Sequence, residues 1–170
     1  MTDEHPVLTY RSLLIGEAIV DPEIRQLRLK DTATAAMVMR RSFQERLATL
    51  PVLHTAEEDA GFVRDHLFPT TEMWGALCPD LVGFVAFKRD WIEQFYILPE
   101  WQGRGIGKTL LEVPKSRFET LKLWTFQQNG PARRFYERNG FVEIELTSGE
   151  ANEYNEPDVL YEWIREKSVV

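Results

Sequence analysis

The chain of 170 residues contains a single cysteine, Cys78, and three widely separated histidines. One cysteine cannot form an internal disulfide, and it cannot build a zinc site that needs several thiolates. His5, His54 and His66 lack the spacing that is typical of metal ligands, so we expect no metal. So little cysteine is typical of a reducing compartment, and we therefore expect a cytoplasmic protein.

The sequence also lacks long apolar runs. No stretch approaches the roughly 18 consecutive apolar residues that a membrane-spanning helix needs. Residues 1–6 are acidic and do not resemble the start of a signal peptide. A formal net charge of −7 argues against non-specific binding to nucleic acid. We therefore expect neither a membrane nor a nucleic acid as a partner.

The pattern of apolar residues predicts one domain of mixed α/β class at 23–166. Residues 1–22 are interpreted as an N-terminal extension that either packs loosely or contributes to an interface, such as that of a homodimer. The predicted strands are 24–29, 71–77, 81–88, 92–98, 121–126, 141–146 and 159–164. The predicted helices are 34–50, 56–67, 106–118 and 132–139.

Three local signals mark helix ends and irregularities. Thr55 and Glu58 have the spacing of a capping box, which predicts a helix start at residue 56. Gly140 is placed to end a helix in the left-handed conformation. Pro114 lies inside the predicted helix 106–118 and is expected to kink or shorten it.

The most informative stretch is Gln102–Thr109, which lies between a predicted strand and a predicted helix. Its three glycines, Gly103, Gly105 and Gly107, let the backbone approach a ligand without an intervening Cβ. A helix that begins in such a loop presents free N–H groups and the positive end of its dipole. The stretch therefore predicts a phosphate site.

Two common nucleotide-binding motifs come close to this stretch and fail. A mononucleotide loop would end with Gly107 and Lys108, but its first glycine would have to replace Gln102. A dinucleotide fingerprint could begin with Gly103 and Gly105, but its third glycine would have to replace Lys108. Each failure removes a residue with a steric role, so both interpretations are disfavoured.

The pattern Gln-x-x-Gly-x-Gly at Gln102–Gly107 resembles the acetyl-CoA pyrophosphate loop of the GNAT superfamily, the general N-acetyltransferases. A second motif, Asn129–Phe141, is similar to the downstream motif of that family, with alanine, Phe-Tyr and Gly-Phe in the same places. The two motifs span about residues 92–146, and the order of elements extends the resemblance to roughly 23–165.

The resemblance implies the GNAT fold: a mixed, mostly antiparallel central sheet of six to seven strands with helices on both faces. It also implies acetyl-CoA as co-substrate. The residues that it assigns to the cofactor are Ile97, through its backbone, and Gln102, Gly103, Arg104, Gly105, Ile106, Gly107, Lys108 and Asn129. Alternatives remain for three of them, because Arg104 and Lys108 suit a solvated loop and Asn129 suits a helix cap.

The resemblance makes Tyr136 the general acid that gives a proton to the leaving thiolate. A phenol with a pKa near 10 is a suitable acid for a thiolate in a site without water. The alternative is a core tyrosine. Glu93 is the candidate general base, and burial would have to raise its pKa for that role. The alternative for Glu93 is a solvated strand residue.

The acceptor is less defined. The segment 143–162 contains no lysine or arginine, and its acidic side chains would attract a cationic amine. The alternative is a solvated loop of an acidic protein. Aromatic residues that either line an acceptor pocket or fill the core are Phe43, Trp74, Trp91, Tyr96 and Tyr154. We expect N-acetylation of a small-molecule amine; the alternatives are a peptide or protein amine, and a non-catalytic acyl-CoA-binding regulator.

Overall fold

The computed structural model describes residues 13–15 and 18–166. Its nine strands are β1 (Leu13–Ile15), β2 (Ala18–Val20), β3 (Glu23–Gln26), β4 (Glu72–Leu77), β5 (Leu81–Lys88), β6 (Trp91–Ile97), β7 (Thr120–Phe126), β8 (Val142–Leu146) and β9 (Asp158–Ile164). Its helices are α1 (Thr32–Arg46), α2 (Ala56–Phe62), α3 (Phe68–Thr70), α4 (Ile106–Arg117) and α5 (Gly130–Arg138). A π-helical segment, Val63–Leu67, connects α2 to α3.

Seven strands form the central sheet in the order β3-β4-β5-β6-β7-β9-β8. Every neighbouring pair is antiparallel except β6 and β7, which are parallel. Within the described chain, β6 and β7 are in register only at Trp91 and Lys122. The predicted fold class, with its mostly antiparallel sheet of six to seven strands, is therefore confirmed.

Helices cover both faces of the sheet. Because side chains alternate along a strand, Phe84 and Ala86 of β5 pack against α1, whereas Val85 and Phe87 pack against α4. All four side chains are buried. Strand β5, the third of seven in the sheet, is thus apolar on both sides, which explains the continuous apolar run over 81–87.

Two predicted helix-end signals agree with the structure, whereas α1 ends at Arg46 and not at residue 50. The Thr55 N–H donates to Glu58 Oε2 at 2.7 Å, and the Glu58 N–H donates to Thr55 Oγ1 at 3.2 Å, so the capping box is confirmed. Gly140 has φ +84° after α5, as predicted. Helix α4 does not stop at Pro114 but continues to Arg117, and Pro114 is buried.

Strand β1 pairs antiparallel with β2, apart from the central sheet. The central sheet begins at β3, so the boundary between an extension at 1–22 and the domain stays a prediction. The remainder of that extension, residues 1–12 and 16–17, lies outside the described residues. None of the helices in the described part of the chain has the length and apolar character to cross a bilayer.

Candidate active site

A cavity of about 710 Å³ opens where β6 and β7 separate. Beyond the paired Trp91 and Lys122, residues 92–97 of β6 form one wall and residues 123–126 of β7 form another. The glycine loop, the end of α1 and the start of α5 complete the lining. The separation of two parallel strands therefore creates the cavity inside the sheet itself.

The main chain of Ile97 faces this cavity. The Leu98 N–H donates to Val82 O on β5 at 2.8 Å, so by alternation the N–H and C=O of Ile97 point to the opposite side of β6. The Ile97 carbonyl accepts hydrogen bonds from Ser42 Oγ at 3.2 Å and Gln102 Nε2 at 2.9 Å. The Ile97 N–H points into the same gap, where a ligand can accept from it.

The glycine loop leads directly into α4. Gly103 has φ +73° and Gly105 has φ +88°, a left-handed conformation that costs other residues about 1–2 kcal/mol. The first helical bond runs from the Thr109 N–H to Gly105 O at 3.1 Å. The N–H groups of the three residues between them therefore have no helical acceptor and form an anion site at the helix start.

The third glycine has a different role. A Cβ built on Gly103 or Gly105 would meet no atom within 4 Å, so the backbone conformation alone requires glycine there. A Cβ on Gly107 would lie 3.1 Å from two ring carbons of Phe135. Gly107 thus lets α4 approach α5 closely beside the cavity.

Gln102 holds the loop through its side chain. Its Nε2 donates to the Ile97 carbonyl, and its Oε1 accepts from Arg46 Nη2 at 2.5 Å. The amide therefore connects β6, the loop and the end of α1. Sequence reasoning missed Arg46, since nothing in the chain pattern relates the end of α1 to the loop.

Two of the residues that were assigned to the cofactor lie off the cavity wall. The side chain of Ile106 is 1% exposed and belongs to the core, so only its main chain is available to a ligand. The Arg104 guanidinium lies 5.1 Å from the centre of the Trp101 ring. Lys108 is exposed and lines the cavity.

Two further basic residues line the cavity, Arg134 and Arg138 on α5. Together with Lys108, they make its α4–α5 end positively charged. None of the three takes part in an ion pair in the described part of the chain. Sequence reasoning missed both arginines, although their spacing of four residues within the second motif places them on one helix face.

Tyr136 lies on α5 and is 7% exposed. Its ring packs among other aromatic rings, with centroid distances of 5.4 Å to Phe135, 5.6 Å to Phe141 and 6.0 Å to Tyr161. The side chain also lines the cavity, and its hydroxyl makes no hydrogen bond to any residue that the structure describes. Burial raises the pKa of Tyr136 above its ordinary value.

Tyr161 provides a useful contrast because it is fully buried beside Tyr136. Its hydroxyl donates to Glu137 Oε1 at 2.7 Å and accepts from Arg133 Nε at 3.1 Å. These bonds fix α5 against β9. Of these two packed phenols, only Tyr136 has a hydroxyl that is available to a ligand.

Asn129 lies at the start of α5, and the oxygen and nitrogen of its side-chain amide have different surroundings. Its Oδ1 accepts from the Ala132 N–H at 3.3 Å, so the side chain caps the helix. The residue also lines the cavity, where its Nδ2 is directed to no protein acceptor in the described chain. The capping alternative is therefore correct, and it is compatible with contact to a ligand.

Glu93 lies at a β-bulge. Phe87 pairs with Ile92 and Ala86 pairs with Gln94, so Glu93 is the extra residue between two paired positions. Its side chain lines the cavity but is exposed. The burial that an efficient carboxylate base requires is therefore absent, which favours the alternative of a solvated strand residue.

The acidic segment 143–162 does not form one continuous rim. Several of its carboxylates bind protein groups instead: Glu143 pairs with Arg133 at 2.9 Å, Glu153 with His54 at 2.9 Å, and Glu162 with Lys122 at 3.6 Å. Asp158 is the member of this segment that lines the cavity. Among the described residues, no group of three or more His, Cys, Asp or Glu side chains could hold a metal.

The site thus lies where the sheet of a mixed α/β fold parts beside a glycine loop. Residues 69–143 match the family model described as "Acetyltransferase (GNAT) domain". The solved structure of apo-form YjaB from Escherichia coli is 21% identical, with a TM-score of 0.72, over 86% of this chain and 100% of that one. The PaiA N-acetyltransferase of Thermoplasma acidophilum, solved with coenzyme A, is 22% identical, with a TM-score of 0.63, over 86% and 100%.

Two curated relatives match shorter parts of the chain. An uncharacterised N-acetyltransferase of Methanocaldococcus jannaschii is 34% identical over 40% of this chain and 37% of its own length. The peptidyl-lysine N-acetyltransferase YiaC of Escherichia coli is 36% identical over 36% of this chain and 42% of its own. The matches thus span well under half of each relative. Residues 69–143 therefore match a GNAT acetyltransferase domain, and the chain shares the fold of these solved structures.

Proposed function

We propose that the protein is an N-acetyltransferase that transfers the acetyl group of acetyl-CoA to a primary amine of a small molecule. The observation that carries this proposal is the Tyr136 hydroxyl, which is buried at the parted strands and has no hydrogen-bond partner in the described chain. Acetyl-CoA supplies an activated thioester: the amine nitrogen bonds to the acetyl carbon, the C–S bond breaks and CoA leaves as a thiol.

The cavity has the groups that the cofactor needs. The free N–H groups at the start of α4 and the side chains of Lys108, Arg134 and Arg138 suit the pyrophosphate and other phosphates. The Ile97 N–H and the Asn129 amide suit the pantetheine arm. The volume of about 710 Å³ is within the usual range for a cofactor and a small co-substrate.

Tyr136 is proposed as the general acid. Because burial raises its pKa, the phenol keeps its proton throughout the physiological pH range. That proton passes to the leaving sulfur. The packed rings of Phe95, Phe135 and Phe141 hold the phenol in place and exclude water from it.

The proton lost by the amine needs an acceptor. We propose Glu93 for this role, directly or through a water molecule, because it lines the same cavity. Since Glu93 is exposed, solvent can take the proton as well. The base should therefore be much less critical than the acid.

The test is a thiol-release assay with acetyl-CoA and a panel of primary amines. Tyr136→Phe should lower kcat by about 10²–10⁴-fold, as expected for loss of a general acid. The matched variant Tyr161→Phe removes the neighbouring phenol, which binds Glu137 and Arg133, so it should lower Tm and retain most of kcat. Wild-type kcat in Tyr136→Phe would contradict the assignment.

A peptide or protein amine is the second candidate acceptor. The 36% identity to a peptidyl-lysine N-acetyltransferase favours it. A lysine-containing peptide and a small-molecule primary amine should be compared as acceptors, at equal concentration and with the same enzyme preparation. Turnover of the peptide alone would replace the small-molecule proposal, while the roles of the cofactor residues would stand.

A further inference from the structure

Three aromatic rings from distant parts of the chain meet on the α1 side of the cavity. The centroid of Phe43 on α1 lies 6.3 Å from that of Phe126 at the end of β7. Tyr154, in the loop before β9, lies 5.2 Å from Phe43 and 5.7 Å from Phe126. Phe43 and Phe126 line the cavity. This end of the cavity therefore has aromatic walls.

A carboxylate lies beside these rings. Asp158 is directly opposite Phe126 in the β7–β9 register, so the two side chains project from the same face of the sheet. The Asp158 carboxylate accepts hydrogen bonds from Thr147 Oγ1 and from Asn152 Nδ2, the latter at 3.0 Å. Both donors are neutral, and no ion pair of the described chain includes Asp158. Its negative charge is therefore not compensated by a basic side chain.

Tyr96 completes this end. Phe95 packs against Phe135 of α5, so the next residue along β6 projects to the opposite face, where its ring lies 5.9 Å from Phe84. The Tyr96 side chain lines the cavity, and its hydroxyl makes no hydrogen bond within the described chain. We name the set of Phe43, Tyr96, Phe126, Tyr154 and Asp158 the acceptor corner.

The two ends of the cavity differ in the charges that line them, apart from Arg46 of α1, which lines the cavity and donates to Gln102 Oε1. Lys108, Arg134 and Arg138 lie at the α4–α5 end, whereas the acceptor corner contains an unpaired carboxylate among aromatic rings. Aromatic faces and a carboxylate together attract an organic cation such as an alkylammonium group. The reacting amine must be uncharged when it attacks, and a nearby carboxylate would favour its charged form. The corner therefore suits a second, non-reacting cation.

We propose that the acceptor is a diamine whose second ammonium group is held in the acceptor corner while its other amine reaches the acetyl group. This inference rests on the proposed acetyltransferase activity and adds the class of substrate. The carboxylate of Asp158 would bind the second ammonium, and the rings of Phe43 and Phe126 would contact the alkyl chain and the cation. The Tyr96 hydroxyl is available as a further acceptor.

The test compares 1,5-diaminopentane with pentylamine, which has the same carbon chain and lacks the second cation. We expect kcat/KM for the diamine to be about tenfold higher or more in the full chain. Asp158→Asn should remove most of this preference and leave the KM for acetyl-CoA unchanged. The control Glu150→Gln changes an exposed carboxylate of the same loop and should keep the preference.

Asp158 also supports its loop, so a second variant separates binding from folding. Phe43→Leu lies on α1 and leaves both hydrogen-bond donors to Asp158, Thr147 and Asn152, in the chain, and it should reduce the preference. Equal kcat/KM for the two amines in the wild type would overturn the diamine proposal and leave the acetyltransferase activity standing. No thiol release with any amine would overturn the proposed function itself.

Discussion

The two ends of the cavity are built in different ways. The α4–α5 end is made largely from the main chain of a few consecutive residues around Gly105, where the backbone conformation creates an anion site. The acceptor corner is made from side chains of α1, β6, β7 and the segment before β9. A site of the first kind is sensitive to backbone conformation, whereas one of the second kind is sensitive to side-chain chemistry.

Among the variants below, the largest effect on the kinetic constants is expected at the α4–α5 end of the cavity. Gly105→Ala forces alanine into φ +88°, a conformation that costs about 1–2 kcal/mol, so the KM for acetyl-CoA should rise about tenfold. The ratio of diamine to monoamine turnover should not change. Steady-state kinetics with each substrate varied in turn will measure both.

A matched glycine provides the control. Gly61 lies in α2, where an added Cβ would meet only Asp65 Oδ2 at 3.9 Å. Gly61→Ala should leave both KM values unchanged and raise the unfolding free energy by about 0.5–1 kcal/mol. An unchanged KM for acetyl-CoA in Gly105→Ala would show that the left-handed turn is not part of the anion site.

A smaller effect is expected at the acceptor corner. Phe126→Leu keeps an apolar side chain and removes one ring, so the KM for the diamine should rise about 2–10-fold, as for a lost cation–π contact. The KM for acetyl-CoA should stay at the wild-type value. A rise in that KM instead would mean that the two ends of the cavity do not act separately.

The bulged Glu93 should have a smaller effect still. Because its carboxylate is exposed, solvent can replace it as proton acceptor, and Glu93→Gln should change kcat by less than about threefold near pH 7. The pH profile of kcat/KM is the measurement. A loss comparable to that of Tyr136→Phe would establish Glu93 as an essential base.

Asp31 lies outside the cavity lining and should affect stability alone. Its carboxylate accepts two bonds from Arg25 at 2.8 and 3.0 Å, and this guanidinium lowers the pKa of Asp31 to about 2. A lowered folded-state pKa contributes stability above the unfolded-state value, and this is lost as pH falls from about 4 toward 2. Asp31→Asn should therefore cost up to about 2 kcal/mol at pH 7 and little at pH 2.

Urea denaturation at the two pH values tests this prediction, and kinetics at pH 7 provide the second readout. Both KM values should match those of the wild type under conditions in which the variant is folded. An equal loss of stability at both pH values would show that packing, and not the ion pair with Arg25, is responsible.

The same contrast explains what the sequence could predict. The turn at Gly105 and the capping box at Thr55 depend on residues close together in the chain, so their spacing is visible in the sequence. The bulge at Glu93 depends on how β6 pairs with β5, and a single extra residue reverses the facing of its side chain. The hydrogen bond between Arg46 and Gln102 joins residues from separate elements and has no local pattern.

The acidic segment 143–162 shows the same limit. Its composition is plain in the sequence, but its partners are not: Glu143 meets Arg133, and Glu153 meets His54, in each case through tertiary packing. Among the acidic residues of this described segment, Asp158 alone lines the cavity. Composition predicted a charge, and the three-dimensional arrangement decides which carboxylate is available to a ligand.

The single registered position between β6 and β7 also affects how the molecule unfolds. The antiparallel group β3–β6 is contained in residues 23–97, and the group β7-β9-β8 in residues 120–164. Within each group, neighbouring strands are hydrogen-bonded to one another. Helix α4 packs on strands of both groups. They are candidates for separate cooperative units in amide hydrogen exchange. A ligand bound between β6 and β7 would contact both strand groups. The protection of backbone amides against hydrogen exchange should therefore rise in both groups together when the cofactor binds.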